Sequence, residues 1–102
     1  MSTSPEFQKA VADSKKLTSK PDNSDLLELY ALFKISNGED FEAAAKPGMF
    51  DLKGKAKYNA WSDKVKEGLS AEDAQKAYVD KVEALKASHG YDANKEPEAV
   101  GP

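Results

Sequence analysis

Cysteine and arginine are both absent from this chain of 102 residues, and histidine occurs once, at His89. The absence of cysteine excludes a disulfide framework and a thiolate nucleophile, and a single histidine excludes a histidine-rich metal site. Because all fifteen basic residues are lysines, a bidentate arginine clamp on a phosphate is excluded, and only point-charge contacts remain. This composition is typical of a reducing compartment.

Long apolar runs are also absent. No stretch reaches the roughly 20 apolar residues that a membrane helix needs, and the first residues lack the basic and apolar regions of a signal peptide. We therefore expect a cytoplasmic protein without stable membrane insertion. With 102 residues, of which 39% are hydrophobic and 32% charged, the chain can form one small domain.

The motifs of catalysis are missing as well. No glycine-rich phosphate loop or EF-hand loop matches the sequence. A nucleophile and base pair is not evident either, since His89 directly follows a helical pattern and precedes an aperiodic segment. We expect a protein that is not an enzyme.

Charge is unevenly distributed along the chain. The net charge is -3, which argues against general binding to nucleic acids or membrane surfaces, yet residues 46–66 contain six lysines and two aspartates. A basic region in an acidic protein can attract one anionic ligand without attracting polyanions in general. The charge pattern is therefore compatible with an anionic small-molecule ligand, and we expect no nucleic acid.

The spacing of apolar residues predicts four helices and no strand. Proline and glycine residues mark the ends of these segments, and serine and aspartate residues can cap the helix starts. Together they place the helices at residues 5 to about 17, 25 to 37, 52 to about 66, and 71 to about 88. A long loop joins the second and third helices, and Ala43, Ala44 and Ala45 favour a short helical turn within it. We expect an all-α bundle formed by residues 1–90, followed by a flexible tail at residues 91–102.

The second helix is apolar on two sides. Leu26, Leu27, Tyr30, Phe33 and Lys34 share one broad face, and the opposite face carries Leu29, Leu32 and Ile35. Such a helix is either sandwiched centrally or shares one side with a ligand or a partner. The aromatic rings beside Lys34 are suited to stacking on a base and pairing with a phosphate, although aromatic residues at helical spacing also form ordinary cores.

The third helix places Lys53, Lys57 and Lys64 on one side, next to an apolar strip made by Gly54, Tyr58, Trp61 and Val65. Lysines near a helix N-terminus oppose the macrodipole unless an anion binds there. The alternative interpretation is an ordinary solvated lysine face.

Four blocks closely resemble the acyl-CoA-binding protein family: Leu-Tyr-Ala-Leu-Phe-Lys at residues 29–34, Pro-Gly-Met-Phe-Asp at 47–51, Lys-Gly-Lys-Ala-Lys-Tyr-Asn-Ala-Trp at 53–61, and Ala-Tyr-Val-Asp-Lys-Val-Glu-Ala-Leu at 77–85. The resemblance covers about residues 7–90. It implies an up-down-down-up four-helix bundle that binds long-chain fatty acyl-CoA esters, with no other cofactor and no metal. It also implies an intracellular carrier and pool-former, for which acyl-CoA-using enzymes are transient partners.

The resemblance also implies a set of ligand-binding residues. The matching positions are Lys15, Tyr30, Ala31, Leu32, Phe33, Lys34, Lys53, Lys57 and Tyr78. Tyr30 and Lys34 match the residues that meet the ligand's phosphates, Phe33 stands where the family usually has a tyrosine against adenine, and Lys57 matches the position associated with the 3′-phosphate.

The acyl chain is expected near Phe7, Ala10 and Leu27. Two loops, before Pro47 and before Ser70, look longer than usual in the family by one and two residues, which leaves the chain-length preference open.

Two other functions are compatible with parts of the sequence. The exposed apolar side of the second helix could dock a partner helix, which would make the protein an interaction module. A thioesterase would need the nucleophile and base pair that the sequence does not provide. No heptad seam is present, so we expect a monomer.

Overall fold

The computed structural model describes residues 3–95. In that range the chain forms four α-helices and a short 3-10 turn and contains no extended strand: α1 Pro5–Ser14, α2 Asn23–Ser36, the 3-10 turn Phe41–Ala43, α3 Leu52–Lys66 and α4 Ala71–His89. The expected all-α class, the four helices and the long connection between α2 and α3 are confirmed. The expected helical turn in this connection is present, although it begins at Phe41 and ends at Ala43.

Three of the four α-helices start at a side-chain cap, whereas α2 starts after Asp22 without a side-chain cap hydrogen bond. The Ser4 side chain accepts from the Phe7 N–H, with Pro5 at the first helical position. The side chains of Asp51 and Ser70 accept in the same way from the N–H groups of Gly54 and Asp73. These caps satisfy backbone donors that a helix start leaves unpaired, so the boundaries are fixed locally.

The helices pack in the order α1, α4, α2, α3, because α4 contacts both α1 and α2, and α2 contacts α3. Helices α1 and α4 run in the same direction: the Ser4 N–H donates to Gln75 Oε1, and Asp13 pairs with Lys86. Helix α2 runs opposite to α4, since Phe33 lies against Tyr78 while Asp25 pairs with Lys81. The core consists of Phe7, Ala10, Leu17, Leu29, Leu32, Ala74, Tyr78, Val82 and Leu85.

The central position of α2 explains its two apolar faces. Leu29 and Leu32 are each only 2% exposed. Glu28 forms ion pairs with Lys64 of α3 and Lys81 of α4, at 3.3 and 3.0 Å. Burial acts to raise the pKa of Glu28, but hydrogen bonds from Lys81 and Lys64 lower it below its usual value. Both sides of α2 are therefore covered along part of its length by protein.

The segment after α4 corrects one expectation. We expected a flexible tail from residue 91, but residues 91–95 lie against the α1–α2 connection. The Tyr91 hydroxyl donates to Asp13 Oδ1 at 2.8 Å, the Asp92 N–H donates to the Lys16 carbonyl at 3.1 Å, and Lys95 Nζ donates to the Leu17 carbonyl at 2.7 Å. The aperiodic sequence gave no sign of these contacts. The rest of the expected tail lies outside the described residues.

Candidate functional site

A groove runs between α2, the α2–α3 loop and α3, and continues toward α1 and α4. It consists of two cavities of about 710 and 310 Å³, which share Tyr30, Lys34 and Lys57 in their walls. We call these the outer and the inner cavity. The three shared residues lie where the outer cavity, which has several charged side chains in its walls, meets the more apolar inner cavity.

The outer cavity lies between α3 and the long loop. Its walls include Lys46 and Asp40 from the loop and Tyr58 from α3. Phe41 of the 3-10 turn holds the loop against α3, because its ring lies 4.7 Å from that of Tyr58 and 5.1 Å from that of Trp61. The rings of Phe41, Tyr58 and Trp61 therefore position the loop that forms one wall of the groove.

Trp61 brings a hydrogen-bond donor to the same region. Its side chain lines the outer cavity and is 5% exposed. Among the residues that the structure describes, Trp61 Nε1 is the buried side-chain polar atom without a hydrogen-bond partner. A buried N–H that makes no hydrogen bond carries a free-energy cost, which an acceptor that reached it would remove.

The inner cavity has aliphatic and aromatic walls. They consist of Val11, Ser14, Lys15, Leu26, Leu29, Phe33 and Tyr78, in addition to the three shared residues. The Tyr78 ring lies 5.0 Å from the Phe7 ring and 6.4 Å from the Phe33 ring. Burial raises the pKa of the Tyr78 phenol above its usual value, while its contact with the Ser14 hydroxyl, at 3.4 Å, acts in the opposite direction. Tyr78 therefore stays neutral and presents an apolar ring to the cavity.

Two ammonium groups converge on one ring at the junction of the cavities. Lys34 Nζ lies 5.5 Å and Lys57 Nζ 5.4 Å from the centroid of the Tyr30 ring. Lys34 also pairs with Glu39 at 3.0 Å, whereas Lys57 has no carboxylate partner among residues 3–95. An anionic group bound at this junction would meet both positive charges, and it would give Lys57 an opposite charge to pair with.

The groove brings together six of the positions proposed from the sequence: Lys15, Tyr30, Phe33, Lys34, Lys57 and Tyr78. Ala31 and Leu32 are 0% and 2% exposed, so their side chains lie within the protein interior. Lys53 is exposed and does not line either cavity.

The three residues proposed to lie near the acyl chain occupy different parts of the structure. Phe7 and Ala10 are buried in the core, where Phe7 supports the rings of Phe33 and Tyr78. Leu27 lies in a separate depression between α2 and α3, beside Ala60 and Lys64. The structure therefore brings Phe7 next to the groove and places Leu27 away from it.

Sequence reasoning missed several residues of the groove. Leu26 and Leu29 line the inner cavity together, because residues three apart on a helix lie only about 60° from each other. The loop wall at residues 43–48 was also missed. A loop has no periodicity, so its path is set by distant contacts such as those of Phe41.

Comparison with known proteins bears on the ligand. A model of the family described as "Acyl CoA binding protein" matches residues 4–82, which is more than half of the chain. The chain belongs to the acyl-CoA-binding protein family. The likeness includes the groove, since all six residues that meet there fall within the matched range.

Two relatives and a solved structure support this membership. An acyl-CoA-binding protein homolog from Manduca sexta is 53% identical over 90 residues, covering 88% of this chain and 98% of the relative. An acyl-CoA-binding protein homolog 1 from Caenorhabditis elegans is 54% identical over 84 residues, covering 82% and 94%. The crystal structure of Oryza sativa acyl-CoA-binding protein 2 superimposes with a TM-score of 0.71 at 33% identity, covering 89% and 96%. The fold implied by the resemblance is thereby confirmed.

Residues 3–95 contain neither a membrane-spanning helix nor a cluster of side chains suited to a metal ion. None of the four helices combines the length and the apolar character needed to cross a bilayer. No group of three or more histidine, cysteine, aspartate or glutamate side chains in the same range is arranged to hold a metal ion.

Proposed function

We propose that the groove binds one long-chain fatty acyl-CoA, with the phosphates of the CoA moiety at Tyr30, Lys34 and Lys57. Family membership supports acyl-CoA as the ligand. The observation that carries the placement is the proximity of two ammonium groups to the Tyr30 ring, where the outer cavity with its charged walls meets the more apolar inner cavity. An acyl-CoA ester has the same division, with a polyanionic nucleotide at one end and a hydrocarbon chain at the other.

The two cavities suggest which part of the ligand each would hold. The inner cavity, with Phe33, Tyr78 and aliphatic side chains, suits apolar groups, and Lys15 at its edge provides a further positive charge. The outer cavity suits the polar end, because Lys46 lies in its wall and Trp61 beneath it has an unpaired N–H. Lys53 remains a proposed contact that would have to reach the ligand from outside the groove.

The ligand's two parts would contribute differently to the binding free energy. Each buried methylene is worth up to about 0.8 kcal/mol, so a long chain contributes on the order of 10 kcal/mol before ordering costs. A partly exposed lysine contact is worth nearer 1 kcal/mol. Burial of the chain would therefore set the affinity, and the lysine and aromatic residues would set the identity of the head group.

The placement is tested by calorimetric titration of palmitoyl-CoA into the wild-type protein, Lys57→Ala and Lys66→Ala. We expect one-to-one binding, weakened about five-fold by Lys57→Ala, since roughly 1 kcal/mol of interaction is lost. Lys66 is the matched control because it lies on the same helix, is exposed and does not line the groove. Equal losses for the two substitutions would contradict this placement of the phosphates.

The same titration distinguishes the ester from its parts. Free palmitate lacks the phosphates and CoA lacks the chain, so we expect both to bind much more weakly than palmitoyl-CoA. Affinity for the ester should fall as salt is raised, because salt screens the lysine contacts. Equal affinities for palmitate and palmitoyl-CoA would show that the lysines do not select the head group.

The biological role follows from binding without chemistry. We propose a monomeric cytoplasmic carrier and pool-former that exchanges acyl-CoA transiently with the enzymes that make and use it. No hydrolysis is expected, and incubation with palmitoyl-CoA should release no free thiol. An interaction module would instead associate with increasing protein concentration and would not be thermally stabilised by the ester.

A further inference from the structure

Three exposed hydrophobic side chains lie together where α3 begins. Met49, Phe50 and Leu52 are 75%, 92% and 76% exposed, and we call them the apolar tip. In the described part of the chain the other large exposed hydrophobic residue is Val65, which is 40% exposed and lies near the opposite end of α3. Exposed hydrophobic residues are ordinarily scattered singly, so three within four positions indicate a contact surface.

Lysines flank the apolar tip along the chain. Residues 46–57 contain four lysines and one aspartate, although the whole chain has a net charge of -3. The one aspartate, Asp51, is engaged locally because its side chain accepts from the Gly54 N–H at 2.9 Å. This part of the surface is therefore both apolar and basic.

The backbone of the tip is held in place. Lys55 Nζ donates to the Met49 carbonyl at 2.6 Å, and the Asp51 N–H donates to the Gly48 carbonyl at 3.1 Å. These bonds fold the segment onto the first turn of α3. The hydrophobic side chains consequently project from an ordered turn, and little backbone conformational entropy would be lost when they become buried.

We infer that the apolar tip docks reversibly on the surface of an anionic phospholipid bilayer. A phenyl ring that is 92% exposed protrudes from the protein and does not line a recess. Protruding hydrophobic side chains with lysines around them suit a fluid layer of anionic head groups, which requires no complementary shape. A protein partner would need a socket for Phe50, and the lysines here, without arginine, offer point charges and no bidentate geometry.

The docked surface would adjoin the groove. Lys46, Gly48 and Asp51, which flank the tip along the chain, line the outer cavity, as does Lys57 one turn further into α3. Docking would therefore bring the rim of the groove next to the head-group layer. The docking itself needs no acyl-CoA, so it stands independently of the function proposed above.

The test is co-sedimentation of the full chain, without acyl-CoA, with vesicles of phosphatidylcholine alone or with about 30% phosphatidylserine. The variant is Phe50→Ser combined with Leu52→Ser, and Val65→Ser is the control with one exposed apolar side chain removed from the other end of α3. We expect the wild type and the control to bind the anionic vesicles. The double variant's partition coefficient should fall about ten-fold, since binding scales with the apolar area buried.

Further measurements separate docking from folding and from ligand binding. Thermal unfolding should be nearly unchanged in the double variant, because Phe50 and Leu52 are exposed. Its affinity for palmitoyl-CoA in vesicle-free buffer should match that of the wild type. Binding should also disappear on neutral vesicles and at high salt.

Two results would overturn the inference. One is a wild type that does not sediment with anionic vesicles, in which case the tip serves another partner, such as a protein. The other is equal partitioning of the wild type and the double variant, which would show that any vesicle binding occurs elsewhere on the protein. Loss of palmitoyl-CoA binding by the wild type would leave both results interpretable, because neither uses that ligand.

Discussion

Replacing Leu32 with alanine should lower the free energy of unfolding by about 3 kcal/mol and the melting temperature by roughly 15 °C. Leu32 is 2% exposed, and it packs in the core while α2 lies between α3 and α4. The substitution removes three heavy atoms from a site whose neighbours belong to different helices and cannot all move inward. Urea unfolding followed by circular dichroism measures the loss.

Leu27→Ala is the matched control, since it makes the same change on the same helix at a half-buried position. Its expected cost is about 1 kcal/mol, because less apolar area is lost and no closed cavity forms. Both variants should still bind palmitoyl-CoA well below their melting temperatures, because neither side chain lines the groove. If the two substitutions cost the same, the position of Leu32 in the core would be wrong.

Replacing Asp13 with asparagine should lower the free energy of unfolding by about 2 kcal/mol at neutral pH. Asp13 is buried, and it accepts from Lys86 at 2.6 Å, from Lys9 at 2.8 Å and from the Tyr91 hydroxyl at 2.8 Å. Burial alone would raise its pKa, but these hydrogen bonds outweigh burial and lower the pKa to about 2. Removal of the charge would also leave Lys86, 17% exposed, without its main partner.

The pH dependence of this effect has a definite sign. Because the folded pKa of Asp13 is lower than the unfolded value of 3.8, its contribution is fully present above about pH 4 and is lost as the pH falls toward 2. The stability difference between the wild type and Asp13→Asn should therefore shrink across that interval. Denaturant unfolding at several pH values measures it.

Asp63→Asn is a suitable comparison, since Asp63 is exposed and has no ion-pair partner among residues 3–95. It should change stability by less than about 0.5 kcal/mol at any of these pH values. A stability difference for Asp13→Asn that stays constant down to pH 2 would contradict the depressed pKa.

The helices were predictable because their signals are local. Ser4, Asp51 and Ser70 act as caps in the structure, and the predicted bounds of the third helix match α3. The helical wheel also identified α2 as a helix that needs cover on two sides. It did not reveal that the cover of Leu27 is partial or that Val65, expected in the apolar strip of α3, is 40% exposed. The burial of these two side chains depends on how neighbouring helices pack, which a helical wheel does not show.

Features that rest on distant contacts could not be predicted from the sequence. Tyr91 donates a hydrogen bond to Asp13, 78 positions away in the chain, and no local pattern around residue 91 predicts this contact. The groove likewise combines residues that could be predicted with residues that could not. The convergence of Tyr30, Lys34 and Lys57 was expected through the family resemblance, whereas the wall formed by the long loop depends on Phe41 meeting Tyr58 and Trp61.

The parallel arrangement of α1 and α4 decides where the two ends of the domain emerge. Ser4 lies beside Gln75 at the start of α4, while Tyr91 pairs with Leu17 beyond its end. Fourteen residues of helix separate Gln75 from His89, which is about 21 Å. In a circularly permuted version, the segment that joins Tyr91 to Ser4 would therefore need at least about seven extended residues to pass along the outside of the bundle.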